Sequence, residues 1–170
     1  MKILVIGESC RDVFNYGSCI RLCPEAPVPV FNPVEIVDNG GMAKNVHRNV
    51  VSLGARASLV TNKNWKSITK TRFIDKKTNH MVMRLDCNDE DYGKADLSKI
   101  DFDNYDAVIL SDYNKGFMSE GDIDYVGRNH PLTFLDTKKI LGSWCESISF
   151  IKINDNEYER TKHMIGPEIE

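Results

Sequence analysis

The sequence predicts an α/β fold in which helices flank a mostly parallel sheet. Short, continuous apolar runs alternate with helical stretches along the 170 residues. The apolar runs have the length expected of strands that are covered on both faces. Hydrophobic residues make up 41% of the chain, which is enough for one domain with a core. Strands and helices that alternate in this way form parallel sheets with the helices packed on them.

Five apolar runs are the predicted strands of this sheet, and they cover residues 2–6, 57–61, 107–111, 133–136 and 150–153. A first helix is predicted over residues 42–53, and Gly54 supplies its C-terminal stop. One apolar face is expected along this helix, formed by Ala43, Val46, Val50 and Leu53. Further helices are predicted over residues 120–129, before Pro131, and over residues 157–164, before Gly166 and Pro167.

Two other segments indicate a small β-flap beside the sheet. Residues 27–37 have apolar residues in extended spacing but contain three prolines, which confines the segment to an edge or a flap. Residues 71–75 and 81–85 are predicted to be two strands that turn at Lys77, Thr78 and Asn79.

Composition excludes several classes of protein. The net charge of −3 comes without a basic stripe, so no nucleic-acid partner is expected. The apolar run 3–6 is too short to span a bilayer, and no membrane association is expected. The five cysteines form no CxxC pair, which favours reduced thiols and a cytoplasmic location. The four histidines have no metal-ligand spacing, so no metal site is predicted.

The pair Gly40-Gly41 stands directly before the first predicted helix. Glycines let backbone N–H groups approach a ligand, and the amino terminus of a helix favours anions or polar oxygens. An ordinary tight turn with Asn39 near a helix cap explains the pattern equally well. The spacing is neither GxGxxG nor that of a Walker loop, which excludes a dinucleotide or P-loop site.

Other polar segments follow predicted strand ends, where ligands bind in open α/β sheets. Asp12 could accept hydrogen bonds from sugar hydroxyls, or it could be a loop carboxylate in water. Lys115, three residues after Asp112, could face a phosphate. Asn154 and Glu157 could organise a hydrated magnesium near phosphates, although a helix cap is the more common role of such a pair. The tryptophans Trp65 and Trp144 are predicted to be packing residues.

Together these segments resemble, in their order, the heptose-phosphate kinases among the ribokinase-like carbohydrate kinases. Residues 19–30 resemble the pattern S-R-x-S-P-E-A-P-V-P-V, although Cys19 and Cys23 depart from it. Residues 40–46, followed by 52–55, resemble the signature GG-x-A-x-N-V and SLGA. The remaining matches lie at residues 69–72, 84–86, 111–116, 136–139 and 151–154.

This resemblance implies a ribokinase-like fold with a β-clasp lid, formed by residues of about 14–38 and 70–86, that commonly mediates dimers. It implies contacts to a hydroxylated or phosphorylated ligand from the residues Asp12, Arg21, Asn39, Gly40, Gly41, Asn45, Arg84, Asp112 and Lys115. It also places Asn154 and Glu157 in the family's N-x-x-E motif near magnesium and phosphate.

The sequence also departs from the family pattern. The G-A-G-D motif, which supplies the catalytic aspartate and is expected after Glu157, does not occur in the 170 residues. Only residues 62–68 stand where the family has a helix and a strand, and Glu8 replaces the usual aspartate. These departures suggest a protein shortened by selection in a compact genome such as that of a phage. No catalytic residue and no cofactor are therefore expected.

Three hypotheses follow. The first is a non-catalytic protein that binds or sequesters a sugar phosphate or a ribose-containing nucleotide, or that modulates a full-length kinase, with a homodimer through the lid. The second is a sugar kinase, using ATP and magnesium, that is active only when a partner supplies the nucleotide half. The third is a decaying gene product without activity.

Overall fold

The structure is a computed structural model, and it describes residues 1–163. In chain order its strands and helices are β1 (Lys2–Gly7), β2 (Ser9–Ser18), β3 (Asn32–Met42), α1 (Ala43–Ser52), β4 (Arg56–Val60), β5 (Thr69–Asp75), β6 (His80–Cys87), β7 (Ala107–Asp112), α2 (Glu120–Asn129), β8 (Thr133–Thr137), β9 (Phe150–Lys152) and α3 (Asp155–Thr161). Short 3₁₀ turns lie at Phe102–Asn104 and Ser143–Cys145. The chain divides into two compact units, which are described separately below.

The first unit contains a five-stranded sheet in the order β4-β1-β7-β8-β9, and its strands pair in parallel. All five strands predicted for the main sheet are present, which confirms the predicted α/β class. Strand β1 is an inner strand with neighbours on both sides, and its residues Val5 and Ile6 have no exposed surface. Helix α1 packs Ala43 and Val50 against Ile3 and Val5.

Two details of the predicted helices change. Leu53 is 86% exposed and follows the end of α1, so the predicted apolar face ends at Val50. Gly54 has a φ of 86°, the left-handed conformation expected of a C-terminal glycine. Helix α3 begins two residues before the predicted start, and the predicted end at Met164, Gly166 and Pro167 lies outside the described residues.

The second unit consists of Cys10–Gly41 and Asn64–Asp89 and contains a four-stranded sheet in the order β3-β2-β5-β6. Strands β2 and β5 are parallel, while β5 and β6 form the predicted antiparallel hairpin. Its turn places Asn79 at a φ of 58°, a conformation that asparagine tolerates. The segments predicted as a lid fall within this sheet, and their action as a lid stays a prediction.

Strand β2 and the end of β3 differ from the sequence prediction. The segment around Asp12, predicted as a loop, is the ten-residue strand β2. The pair Gly40-Gly41 belongs to β3 and forms no tight turn, so Asn39 lies in a strand and not at a helix cap. No helix among residues 1–163 is long and apolar enough to cross a membrane.

Candidate functional site

In the first unit, the buried carboxylate of Glu8 holds the loop that follows β7. Its two oxygens accept hydrogen bonds from the backbone N–H groups of Tyr113 and Lys115, at 2.9 and 3.0 Å. A fully buried carboxylate is stable only when such donors compensate its charge. Glu8 therefore fixes the backbone of Lys115, one of the predicted ligand contacts. In the sequence, Glu8 is marked only by its departure from the family pattern.

Asp112, also predicted to contact the ligand, is 1% exposed. Its carboxylate lies 2.9 and 3.0 Å from the ammonium group of Lys139 and accepts a hydrogen bond from the hydroxyl of Thr137. Lys139 is itself largely buried, so each charge neutralises the other inside the unit. In this structure Asp112 ties the end of β7 to the end of β8.

The start of α1 is bound to the end of β1. The N–H of Ala43 donates to the carbonyl of Glu8 at 2.8 Å, and the N–H of Lys44 donates to the hydroxyl of Ser9 at 3.1 Å. Met42 joins β3 to this helix with φ 58° and ψ −131°, a conformation that costs a non-glycine residue about 1–3 kcal/mol. Asn45, in the first turn, accepts a hydrogen bond from Arg48 at 2.8 Å.

In the second unit, Asp12 lies against the glycine pair. A guanidinium N–H of Arg72 donates to its carboxylate at 2.7 Å, and a side chain on Gly41 would place its Cβ only 2.5 Å from that carboxylate. Gly41 is therefore needed for the position of Asp12. Burial, with the negative charge of Asp12 as the next cause, raises the pKa of the neighbouring Cys10 to about 11, so this thiol stays protonated.

Strand register places Asp12 and Arg84 on one face of the second sheet. Asp12 pairs with Lys70, which pairs with Asp86, and the next residues on this face are Phe14, Arg72 and Arg84. Residues paired directly across strands share a face, as do residues two apart along a strand. We call this surface the Asp12 face and define it by the side chains of Asp12, Lys70, Arg72, Arg84 and Asp86.

Charges on the Asp12 face are paired with one another. Arg84 donates two hydrogen bonds to Asp86, at 2.7 and 2.5 Å, which lowers the pKa of that carboxyl. The ammonium of Lys70 lies 2.7 Å from Asp89 and 3.4 Å from Asp86. The face thus presents fixed acceptors and fixed donors side by side.

The opposite face of β2 adjoins a cavity of about 310 Å³, here called the Arg11 cavity. Its lining consists of Arg11, Asp38, Asn39, Gly40, Trp65 and Lys66. Arg11 forms an exposed ion pair with Asp38. Because neighbouring residues of a strand point to opposite faces, Arg11 and Asp12 belong to different surfaces.

Asn154 and Glu157 form the capping box of α3. The side chain of Asn154 accepts from the N–H of Glu157 at 3.0 Å, and Glu157 accepts from the N–H of Asn154 at 2.8 Å. Burial raises the pKa of Glu157, but hydrogen bonds from Lys138 and from the Asn154 backbone outweigh it, and the pKa lies below its usual value. The helix-cap interpretation is confirmed, and the magnesium role stays a prediction.

The structure divides the predicted ligand contacts between the two units. Asn45, Asp112 and Lys115 belong to the first unit, whereas the second holds Asp12, Arg21, Asn39, Gly40, Gly41 and Arg84. Within the second unit, Asp12 and Arg84 lie on the Asp12 face, Gly41 lies against Asp12, and Asn39 and Gly40 line the Arg11 cavity. Arg21 is exposed in a turn, where its carbonyl accepts from Val30, and it does not line the cavity.

Comparison with known proteins identifies sequence relatives of this chain and structures that share its fold. No family model matches the sequence. The bifunctional protein HldE of Helicobacter pylori strain J99 is 34% identical over 199 residues, a match that covers 96% of this chain and 43% of the relative. The chain thus spans less than half of that relative's length. The 199-residue match exceeds the 170 residues of the chain, so the relative has residues opposite gaps in this sequence.

Solved structures agree on the fold. The nucleoside kinase of Methanocaldococcus jannaschii, an archaeal member of the ribokinase family, superposes with a TM-score of 0.62 at 13% identity, covering 99% of this chain and 65% of the kinase. The ribokinase of Arabidopsis thaliana, solved with ribose and ATP, gives 0.62 at 10% identity, with 95% and 62% covered. The chain has the fold of these ribokinase-family structures. The HldE proteins are among its homologues.

Proposed function

We propose that this chain is a carbohydrate-kinase-like binding protein that holds a small phosphorylated sugar on the Asp12 face and transfers no phosphate. The observation that carries the proposal is the position of Asp12, fixed by Arg72 and accommodated only because residue 41 is glycine. Sugar hydroxyls both donate and accept hydrogen bonds. A rigid surface that alternates carboxylates with guanidinium groups matches this pattern.

Two further points support a phosphorylated sugar. The solved ribokinase that shares the fold was crystallised with ribose, and the motifs of this chain resemble those of heptose-phosphate kinases. Arg84 on the same face has a planar guanidinium group, which binds phosphate bidentately. Asp86 accepts two hydrogen bonds from this group, and a phosphate can replace Asp86 as the acceptor.

The proposed lack of phosphoryl transfer concerns these 170 residues by themselves. Phosphoryl transfer requires groups that position the nucleotide and stabilise the moving phosphate. The G-A-G-D motif is absent from the sequence, and the chain spans 43% of the curated relative. We expect no ADP formation when the protein is incubated with ATP, magnesium and a panel of sugars and sugar phosphates. Turnover above a buffer control, lost in an Asp12→Ala variant, would contradict this part of the proposal.

Binding is tested by isothermal titration with the same panel of sugar phosphates. Asp12→Ala should weaken binding roughly ten- to a hundred-fold, the effect of losing one or two buried or charged hydrogen bonds. Asp103→Ala, an exposed aspartate of a 3₁₀ turn in the first unit, is the matched control and should leave the affinity unchanged. A ligand that binds both variants as tightly as the wild type would refute the assignment of the Asp12 face.

A second candidate function has its own support in the first unit. Phe134 and Phe150 stack at 5.0 Å and remain 37% and 57% exposed. Two apolar cavities of about 350 and 260 Å³ adjoin them and share Ile109 and Phe134. This chain covers 65% and 62% of the two solved neighbours, so more than a third of each neighbour has no counterpart here. A polypeptide that supplies the rest of the kinase fold would cover this surface, and sugar-kinase activity that arises only on mixing the two would establish it.

A further inference from the structure

The Arg11 cavity differs from the Asp12 face in place and in chemistry. Arg11 and Lys66 bring two positive charges, Asp38 brings one negative charge, and Trp65 brings an aromatic ring. The lining is therefore net positive and includes one flat apolar surface. Such a combination suits a small anion that carries a ring.

The segment that bears Trp65 and Lys66 is held rigidly. Both the N–H and the hydroxyl of Ser67 donate to the carbonyl of Asn64, at 2.9 and 2.8 Å. Ile68 is fully buried, and its carbonyl accepts from the N–H of Arg11 at 2.8 Å. Because this segment is already ordered, it loses little conformational entropy when a ligand binds.

Arg11 can exchange its partner Asp38 for a ligand at a small cost in free energy. The ion pair between Arg11 and Asp38 is nearly half exposed on both sides, and exposed pairs contribute only about 0–1 kcal/mol. A phosphate can therefore replace Asp38 as the partner of the Arg11 guanidinium, which has five N–H donors. Lys66 lies 5.7 Å from the centre of the Trp65 ring, so one charge sits beside the surface on which a ligand ring would stack.

Size limits the ligand further. A volume of about 310 Å³ is at the lower end of the roughly 300–1,000 Å³ typical of small-molecule sites. Such a volume matches a single ring system with one phosphate better than a nucleoside triphosphate.

We propose that the Arg11 cavity is a second ligand site, separate from the Asp12 face, which binds a phosphomonoester carrying one ring system. Trp65 stacks on the ring, and Arg11 and Lys66 bind the phosphate. Two sources share this chemistry, since the ring can be the sugar of a sugar phosphate or the base of a nucleoside monophosphate.

Tryptophan fluorescence tests the proposal directly. The chain has two tryptophans, so a Trp144→Phe variant keeps Trp65 as the single reporter. Titration with glucose 6-phosphate, ribose 5-phosphate and adenosine monophosphate should change its emission saturably, and the order of affinities identifies the ring. Inorganic phosphate, which has no ring, should bind at least tenfold more weakly.

Variants separate this site from the proposed sugar site. Calorimetry with the same three phosphomonoesters measures the affinity of each variant. Trp65→Ala should weaken their binding roughly tenfold, and Arg11→Ala should weaken it roughly ten- to a hundred-fold. The exposed Lys63→Ala should leave the affinity unchanged. Asp12→Ala should leave the Trp65 signal intact, so failure of the proposed function would not remove it. The proposal is overturned if none of the three phosphomonoesters changes the Trp65 emission at millimolar concentration. It is also overturned if Arg11→Ala leaves their affinity unchanged.

Discussion

Gly7, at the end of β1, has no room for a side chain. A Cβ built there would lie 2.0 Å from the carbonyl oxygen of Ser111 on the neighbouring strand β7. Because this oxygen belongs to the backbone, it cannot rotate away from the Cβ. Strands β1 and β7 would therefore have to separate. The constraint lies directly beside Glu8, which orders the loop after β7.

Gly7→Ala should therefore lower the free energy of unfolding by about 1–3 kcal/mol, as overpacking of a close contact does. Gly121→Ala is the matched control, because its Cβ would meet nothing closer than 3.8 Å and alanine favours the helical conformation of α2. We expect Gly121→Ala to be neutral or to stabilise by about 0.5–1 kcal/mol. Urea unfolding measures both, and equal midpoints for the two variants would contradict the prediction.

Single residues were predicted from the sequence only where one chemical role dominates. Asp12 and Gly41 were identified together by the resemblance, and the structure brings them into contact. Trp65 was predicted to be a packing residue, because an indole in a short segment gives no signal of a cavity. The burial of Asp112 was equally hidden, since its partner Lys139 lies 27 residues further along the chain.

At the scale of elements, α3 depends on its first turn. The seven-residue helix is too short to be stable alone, and its capping box satisfies backbone groups at the amino terminus. Glu157 is 5% exposed and has a lowered pKa. A carboxyl whose pKa is lower in the folded protein contributes stability above its ordinary pKa, and this contribution is lost as the pH falls through the folded value.

Glu157→Gln should therefore cost about 1 kcal/mol at pH 7, because the charge-assisted bonds to Lys138 and to the Asn154 backbone weaken. As the pH falls below the ordinary glutamate value of 4.5, the wild type should lose this advantage and approach the variant. Urea midpoints measured at pH 7 and at successively lower pH check the convergence. Glu159→Gln, an exposed partner of Lys162, is the control, and a Glu157→Gln difference that persists unchanged in acid would refute the linkage.

Elements were predictable where burial leaves a mark in the sequence. The strands of the first sheet are short apolar runs, of which β1 and β7 are largely buried, and all five were predicted. Strand β2 was missed because it carries polar and charged residues, such as Arg11, Asp12 and Asn15, on a half-exposed sheet. The pair Gly40-Gly41 is typical of a turn, yet it lies in β3 because Gly41 must admit the Asp12 carboxylate.

At the scale of the whole molecule, the second sheet leaves apolar residues uncovered at its edges. Strands β3 and β6 are the outer strands of this sheet. Their exposed apolar side chains are Val34 at 67%, Ile36 at 63%, Met81 at 57%, Met83 at 52% and Leu85 at 47%. Strand β2, which the sequence did not predict, pairs with the inner edges of β3 and β5. The outer edges of β3 and β6 and their apolar side chains remain uncovered in a single copy of the chain.

We propose that a second copy of the chain covers this surface through a two-fold pairing of the second sheets. Edge strands recruit further strands, and a closed two-fold interface avoids open assembly. Pro33 removes a backbone donor from β3, so side-chain packing should carry most of the affinity. Ile36→Lys should then convert a dimer to a monomer at micromolar concentration in sedimentation experiments, with an unchanged far-UV circular dichroism spectrum. Glu35→Gln, on the other face of the same strand, should leave the dimer intact. A wild-type protein that sediments as a monomer at the same concentration, with or without sugar phosphate, would rule out this assembly.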